Sequence, residues 1–298
     1  PSADLAGIKD GDASVQVSVT NVNGNSASAG REYSVDATAP SVTISTLAAD
    51  DILNATEAQS DLAISGTSTA EAGQTVTVSL NGKNYTTTVG ANGNWTLNVP
   101  AADLAGLTDG SVTVTASVSD KAGNPASVDH NLTVDVTVPA VTINTIAGDD
   151  VINVAEHNQA QIISGSATGA AAGDKVTVTI GGQTYTTVLD AAGNWSVGVP
   201  ASVIAGLSDG SVTVTASVTD AAGNTGSGTH NVTVDTGLPS VGFDTLSGDN
   251  VLNAVEKGQD LSVSGTSANL AEGTLITVTL NGKQYTATTA ANGSWSLT

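Results

Sequence analysis

Hydrophobic and polar residues alternate along most of the chain, and the alternation stops at short runs of Gly, Asn and Asp. This period of two predicts half-buried antiparallel strands joined by turns. Asn81-Gly82 predicts a type I′ hairpin, because both central residues of that turn take positive φ. Residues 100–106 predict one helical turn, which begins after a proline and ends at a glycine. The predicted strands of residues 40–138 are 41–46, 61–67, 75–80, 84–89, 94–99, 111–119 and 126–135.

The whole pattern recurs about every hundred residues, as the only tryptophans show: Trp95, Trp195 and Trp295. Such self-similarity indicates tandem copies of one small domain. We therefore predict whole repeats at 40–138 and 139–238, with part repeats at 1–39 and 239–298. Seven short strands in a hundred residues predict an all-β fold of tandem immunoglobulin-like β-sandwiches, with the tryptophans as core or sheet-edge anchors instead of a ligand platform.

The composition narrows the classes of function. The 298 residues include no Cys, which excludes disulfides and thiol chemistry, and their 28 acidic and 7 basic residues give a formal net charge of −21. Nucleic-acid binding needs clustered Lys and Arg, so we expect no nucleic-acid partner. The sequence contains no run of about 18 apolar residues, so it predicts no membrane-spanning helix. The composition favours an extracellular, structural protein, and the charge favours cations as ligands.

Acidic and amide side chains recur in step with the repeats. One group follows the first strand of each repeat, a second precedes the sixth strand, a third ends the seventh strand, and a fourth opens the turn after the sixth. In that order the candidate metal ligands are Asp50, Asp51, Asn54, Glu57, Asp149, Asp150, Asn153, Glu156, Asp249 and Glu256; Asp109 and Asp209; Asp36, Asp135 and Asp235; Asp120 and Asp220.

Tracing the strands up and down predicts that these groups meet where two repeats join. Carboxylates 4 Å apart repel by roughly 4 kcal/mol per pair at an effective dielectric of about 20, so such a cluster needs a cation. Many hard oxygen ligands favour Ca²⁺ over Zn²⁺ or Mg²⁺. The alternative is that these residues only form turns and keep the surface soluble. The predicted cluster at the junction of the two whole repeats comprises Asp50, Asp51, Glu57, Asp109, Asp135 and Asp220.

Seven segments carry a resemblance to a known family: LNAxE, NGKxYT, ANGNW, PAADLAGL, DGSVTVTASV, DxAGN and HNLTVD, the last followed by proline. Over its whole length the chain resembles the bacterial immunoglobulin-like extender repeats of giant type I secreted adhesins (RTX adhesins) and biofilm-associated proteins. The resemblance implies a stalk at the bacterial cell surface, stiffened by Ca²⁺ between neighbouring repeats, while a distal domain binds the target. It also implies that the recurring Asp, Asn and Glu residues are the metal ligands.

The sequence gives little support for a catalytic function. His130 and His230 occupy equivalent positions, but Arg31 replaces them in the first part repeat, and His157 has no counterpart. We expect surface strand positions here instead of a catalytic triad or a metal site, and no enzymatic activity. Two alternatives to the stalk stay open, a carbohydrate- or receptor-binding module and a subunit of a surface filament.

The two part repeats are complementary. Residues 1–39 hold the last two predicted strands of a repeat, and residues 239–298 hold the first five. An incomplete sandwich leaves unpaired strand edges and half a core exposed. We therefore expect the first segment of one molecule to complete the last segment of another, end to end, or the sequence to be a window on a longer repetitive polymer.

Overall fold

The computed structural model describes residues 2–298, which form strands joined by turns and very short helices. The first part repeat contains α1 (Ser2–Leu5), β1 (Gly11–Thr20) and β2 (Ser26–Val35). The first whole repeat contains β3 (Ile52–Asn54), β4 (Leu62–Thr67), β5 (Thr75–Leu80), β6 (Lys83–Thr88), β7 (Asn94–Val99), α2 (Ala101–Leu104), β8 (Gly110–Ser119) and β9 (Pro125–Asp135).

The second whole repeat has the same order of elements, with one more strand at its start. It contains β10 (Ala140–Ile143), β11 (Val151–Asn153), β12 (Gln161–Thr168), β13 (Lys175–Ile180), β14 (Gln183–Val188), β15 (Asn194–Val199), α3 (Ala201–Ile204), β16 (Gly210–Thr219) and β17 (Thr225–Asp235). The last part repeat contains β18 (Ser240–Phe243), β19 (Val263–Ala268), β20 (Leu275–Leu280), β21 (Lys283–Thr288) and β22 (Ser294–Leu297). Short 3₁₀ turns lie at Glu57–Gln59, Glu156–Asn158, Leu246–Gly248 and Glu256–Gly258.

Two sheets face each other in the first whole repeat. One is five-stranded, in the order β3-β9-β8-β5-β6, and the other pairs β4 with β7. Inward positions alternate with outward ones, as the burial of Leu62 and Ile64 on β4 and of Val76 and Val78 on β5 shows. Both sheets contribute to one buried core that includes Trp95, which is 3% exposed. The predicted all-β sandwich and the predicted core tryptophan are confirmed.

The local predictions also hold. Asn81 and Gly82 have φ of 48° and 75°, as a type I′ turn requires, and they join β5 to β6. Ala101–Leu104 is one helical turn after Pro100, and it buries Leu104 against the core.

Two details differ from the sequence prediction. The predicted strand 41–46 pairs less regularly than expected. Val42 bridges to Ser68, and Thr43 and Ser45 donate to the carbonyl oxygens of Thr67 and Ser65, but the N–H of Ser41 donates to the side-chain hydroxyl of Thr69. The structure also adds β3, which pairs in parallel with β9. Three residues are too few for periodicity to reveal a strand.

The described chain forms two compact units. The first comprises residues up to Ala140 together with two loops of the second whole repeat, Thr168–Asp174 and Val218–Gly226. The second unit comprises Val141–Ala167, Lys175–Ser217 and Ser227–Thr298. The two loops therefore pack with the end of the first whole repeat, and the junction site lies inside the first unit.

Candidate junction site

The junction begins where β9 ends, at Asp135. The parallel pairing of β3 with β9 places Asn54 opposite Asp135. The turn after β16 approaches the same place, since a Cβ on Gly223 would lie 3.9 Å from the amide nitrogen of Asn54. Residues from the end of one repeat and from the far turn of the next thus share one small region.

Asn224 makes the direct contacts between these two groups. Its Nδ2 donates to the carbonyl oxygen of Asp135 at 2.9 Å and to Oδ2 of Asp220 at 3.0 Å. Its Oδ1 accepts from the N–H of Ala55 at 2.7 Å. The residue is only 4% exposed, so these bonds are shielded from water. Asn224 was not among the residues singled out from the sequence, although its place in the DxAGN segment was visible.

Asp109 holds the linker that follows Asp135. Its carboxylate accepts from the backbone N–H of Val136 and from the hydroxyl of Thr137, and these bonds, the hydroxyl first, lower its pKa. Asp10 makes the same pair of bonds to Ala37 and Thr38. Asp209 binds Thr236 through both the backbone and the side chain. This group of aspartates therefore fixes the backbone directly after the last strand of each repeat.

The surroundings of Asp135 disfavour the ionised form of its carboxyl group. Burial raises its pKa, and the nearby charges of Asp220 and Asp109 raise it further, against the smaller lowering by the backbone N–H of Thr137. Like charges in a partly desolvated place disfavour ionisation. Asp220 and Asp109 therefore both lie close enough to Asp135 for their charges to act on it. That these three residues are metal ligands stays a prediction.

Asp51 belongs to a different contact, which corrects the predicted convergence of six carboxylates. Its Oδ1 lies 2.7 Å from Nε2 of His130 and accepts the N–H of Leu47. Asp150 does the same with His230 and Ile146. Both aspartates have positive φ, 64° and 63°, and their side chains close a tight turn against the middle of the last strand. His130 and His230 are strand residues as expected, but their aspartate partners were missed. The same expectation is wrong for His157, which lies in a 3₁₀ turn with its Nε2 2.9 Å from the carbonyl oxygen of Leu207.

The remaining candidates of this loop mostly stabilise local backbone. Asp50 accepts the N–H of Ile52, and Asp149 and Asp249 act in the same way in the later repeats. Glu57 accepts the N–H of Asn54, whose own Oδ1 accepts the N–H groups of Thr56 and Glu57. Asn153 with Glu156 and Asn253 with Glu256 repeat this exchange.

The first junction contains a smaller version of the same contacts. Asn124 donates to the carbonyl oxygen of Asp36 at 3.2 Å and to Oδ2 of Asp120 at 2.8 Å. Its side chain is the main cause that lowers the pKa of Asp120. At the other end of the chain, Asp235 accepts the N–H of Gly237.

The side-chain atoms of the central junction that could coordinate a metal ion are hard oxygens, which suit a cation such as Ca²⁺. Within residues 2–298, however, no three or more His, Asp and Glu side chains are already arranged to hold a metal ion. The assignment of individual ligands stays a prediction. No helix in the described part of the chain is long and apolar enough to cross a membrane.

The sequence profile of the bacterial Ig-like domain matches residues 38–137 and again 137–236. The chain belongs to the bacterial Ig-like domain family. Together these matches cover the two whole repeats of the sandwich fold. No curated protein sequence matches the chain significantly.

Solved structures of large bacterial adhesins are similar to this bacterial Ig-like chain. A Ca²⁺-stabilized adhesin that helps an Antarctic bacterium reach out and bind ice is 39% identical, over 96% of this chain and 72% of that one, with a TM-score of 0.46. A 1.5-MDa bacterial ice-binding adhesin is 35% identical over 86% and 85%, with a TM-score of 0.44. A tetra-tandem repeat from the extending region of a large adhesion protein is 31% identical over 97% and 73%, with a TM-score of 0.33. The family assignment rests on the sequence profile.

Proposed function

We propose that this chain is an extender segment, or stalk, of a large bacterial cell-surface adhesin that serves surface attachment and biofilm formation. Its work is mechanical: tandem Ig-like repeats hold a distal binding domain away from the cell, and no repeat acts as an enzyme. The proposal includes an extracellular location and export by type I secretion, as in RTX adhesins. It is supported by the recurrence of the same segments along the chain, among them DGSVTVTASV, which occurs unchanged at 109–118 and at 209–218.

We propose further that Ca²⁺ binds at the junctions and stiffens the stalk. The observation that carries this step is geometric: Nδ2 of Asn224 lies 3.5 Å from Oδ1 of Asp135 and 3.0 Å from Oδ2 of Asp220, so the two carboxylates adjoin. Burial and the charges of Asp220 and Asp109 accordingly raise the pKa of Asp135, because like charges repel. A divalent cation would remove that repulsion. Asp109, Asp135 and Asp220 would supply carboxylates, the hard oxygens that Ca²⁺ prefers. Asn54 lies opposite Asp135, and its Oδ1 would join the ligands by giving up its bonds to the N–H groups of Thr56 and Glu57.

The test compares two charge-neutralising variants on the same strand. Asp135→Asn removes a junction carboxylate, whereas Asp129→Asn removes one that binds the hydroxyl of Thr115 away from the junction. Isothermal titration with Ca²⁺ gives the number of ions bound per chain, and small-angle scattering in Ca²⁺ and in EDTA gives the maximum dimension. We expect Asp135→Asn to lose one binding event and Asp129→Asn to bind like wild type.

Two results would contradict the calcium proposal. Either wild type binds no Ca²⁺ at millimolar concentration, or Asp135→Asn and Asp129→Asn titrate identically. Circular dichroism in EDTA provides the control for folding, since the sandwiches themselves need no cation in this proposal and should keep their β signal.

We also propose that the two part repeats complete each other between molecules. Val15, Val17 and Val19 of β1 are 57%, 67% and 66% exposed, whereas the equivalent Val114, Ala116 and Val118 are buried. In the whole repeat β8 covers its edge by pairing with β5, and its inner face is buried in the core shared with β4 and β7. In the last part repeat the strand that corresponds to β5 is β20, whose only sheet partner among residues 2–298 is β21.

Light scattering after size exclusion tests this association. We expect a mass that grows with protein concentration, and a monomer for Val17→Asp, which places a charge in the middle of the apolar face. Ser18→Asp is the matched control on the opposite face of the strand. A wild-type chain that stays monomeric at every concentration would refute the association and leave the stalk proposal intact.

A further inference from the structure

The contacts of Asn224 join two repeats without any metal ion. Its two short bonds to the preceding repeat go to backbone atoms, the carbonyl oxygen of Asp135 and the N–H of Ala55. A longer contact of 3.5 Å reaches Oδ1 of Asp135, and a bond to Oδ2 of Asp220 ties the amide to its own turn. Backbone partners are present whatever side chain the position carries, so these bonds do not depend on the charge of any ligand residue.

The amide also lies between two of the carboxylates proposed as ligands. Nδ2 is 3.0 Å from Oδ2 of Asp220 and 3.5 Å from Oδ1 of Asp135. Donors aimed at both oxygens reduce the cost of bringing two anions together. A side chain that is almost fully buried and bonded at both ends also resists rotation, because a broken bond would leave a buried polar atom unpaired.

The same contact occurs at the other junction. Nδ2 of Asn124 binds the carbonyl oxygen of Asp36 and Oδ2 of Asp120, as Asn224 binds Asp135 and Asp220. Asn124 is half-buried, whereas Asn224 is buried.

A second loop of the following repeat closes on the linker independently. Gly169 has a φ of 74°, and a Cβ at this position would lie 2.9 Å from Cγ2 of Thr137 and 3.5 Å from Cα of Pro139. Only glycine combines this backbone conformation with so close an approach. The linker 136–139 is therefore contacted from the side of Gly169 and bounded by the bonds of Asn224.

We propose that Asn224 is a metal-independent latch between repeats, a positioning residue that holds the linker and keeps Asp220 beside Asp135 before any cation binds. This inference rests on the proposed stalk function and refines it. A stalk with such a latch keeps part of its stiffness in calcium-poor surroundings, and calcium adds to a junction that is already formed.

The experiment uses the full chain, which contains no cysteine, so two introduced cysteines carry spin labels without interference. Asn84→Cys and Thr184→Cys place the labels at equivalent exposed positions of the two whole repeats. Pulsed electron spin resonance then gives the distribution of distances between the labels. In EDTA we expect Asn224→Ala to widen this distribution about twofold relative to wild type, while Asn124→Ala, the same change at the other junction, leaves it unchanged.

Two further variants separate the latch from a general loss of folding. Asn224→Asp keeps an acceptor for the N–H of Ala55 but loses both donors, so it should widen the distribution as Asn224→Ala does. Gly169→Val introduces a side chain that collides with the linker from the other loop, and it should widen the distance distribution as well. Unchanged thermal unfolding of the individual sandwiches by circular dichroism would show that the variants remain folded.

The outcomes distinguish the latch from the calcium proposal. If wild type in EDTA is as broad as Asn224→Ala, the latch is wrong, whatever Ca²⁺ does. If Ca²⁺ narrows no variant, but Asn224→Ala is broader than wild type under both conditions, the latch holds and the calcium proposal fails. If Asn224→Ala is broad in EDTA and Ca²⁺ narrows it, both hold.

Discussion

A glycine beneath the tryptophan recurs in three repeats and leaves no room for a Cβ, so its substitution gives a sharp test of the packing. In the second repeat, Gly165 pairs across the sheet with Trp195. A Cβ on Gly165 would lie 2.5 Å from Cζ2 of Trp195 and in direct collision with the carbonyl oxygen of Thr142. Gly66 and Gly265 meet the equivalent tryptophans in the same way.

The expected cost of Gly165→Ala is close to the upper end for overpacked cores. Inserting a methyl group into a well-packed core costs about 1–3 kcal/mol. Here one obstacle is backbone and the other is an indole that is 3% exposed, so neither can move cheaply. We expect about 3 kcal/mol, which corresponds to exchange of the most protected amides roughly 150-fold faster.

Gly198→Ala is the matched control. Gly198 lies in the same strand pair, opposite Ile162, and a Cβ there would meet nothing within 4 Å. Because alanine restricts the unfolded chain more than glycine does, we expect the unfolding free energy of this variant to equal that of wild type or to exceed it by about 0.5 kcal/mol.

Hydrogen exchange followed by mass spectrometry is the suitable assay, since peptides from β12 and β15 report on the second repeat alone. We expect faster exchange in those peptides for Gly165→Ala and unchanged exchange in β4 and β7. The reasoning would be refuted if Gly165→Ala and Gly198→Ala exchanged at the same rate.

Three further predictions concern single contacts. The N–H of Ile146, and then His230, lower the pKa of Asp150. Its ionised carboxylate therefore stabilises the fold above the unfolded pKa of about 3.8, and this contribution is lost as pH falls through the folded pKa. In urea denaturation between about pH 5 and 2, the unfolding free energy of Asp150→Asn should fall less steeply with decreasing pH than that of wild type. Burial, and then Asp103, raises the pKa of Tyr85 to about 12; ultraviolet titration should lose a phenolate of that pKa in Tyr85→Phe and show it lower, though still above 10.0, in Asp103→Asn. Asn281 has a φ of 48° in a hairpin turn, so Asn281→Ala should lower the unfolding free energy of the last part repeat by about 1 kcal/mol in urea melts, while Asn281→Gly should cost less.

The sequence by itself determined the strands and the repeat. Alternation of inward and outward residues is a local property, so β5, β6 and β7 are predicted within one or two residues of their observed bounds. The positive φ of Asn81 and Gly82 follows equally from two adjacent residues. The recurrence of the same segments indicated tandem sandwiches before any fold was seen.

Only the tertiary structure decided which of the recurring polar residues share a site. Asp51 and Asp135 both looked like ligands, yet Asp51 binds His130, whereas Asp135 meets Asp109 and Asp220. The short parallel strand β3 sets this division, because it places Asn54 beside Asp135 and leaves Asp51 further back along β9.

The Asn224 contact shows the physical reason most directly. Asn224 and its partner Ala55 are 169 residues apart and belong to different repeats. Strand periodicity describes which face of one sheet a side chain occupies, and it contains no information on which loop of the next repeat will cover it. The contact exists because two strand ends, a linker and a turn are packed together, and that packing is a property of the folded chain alone.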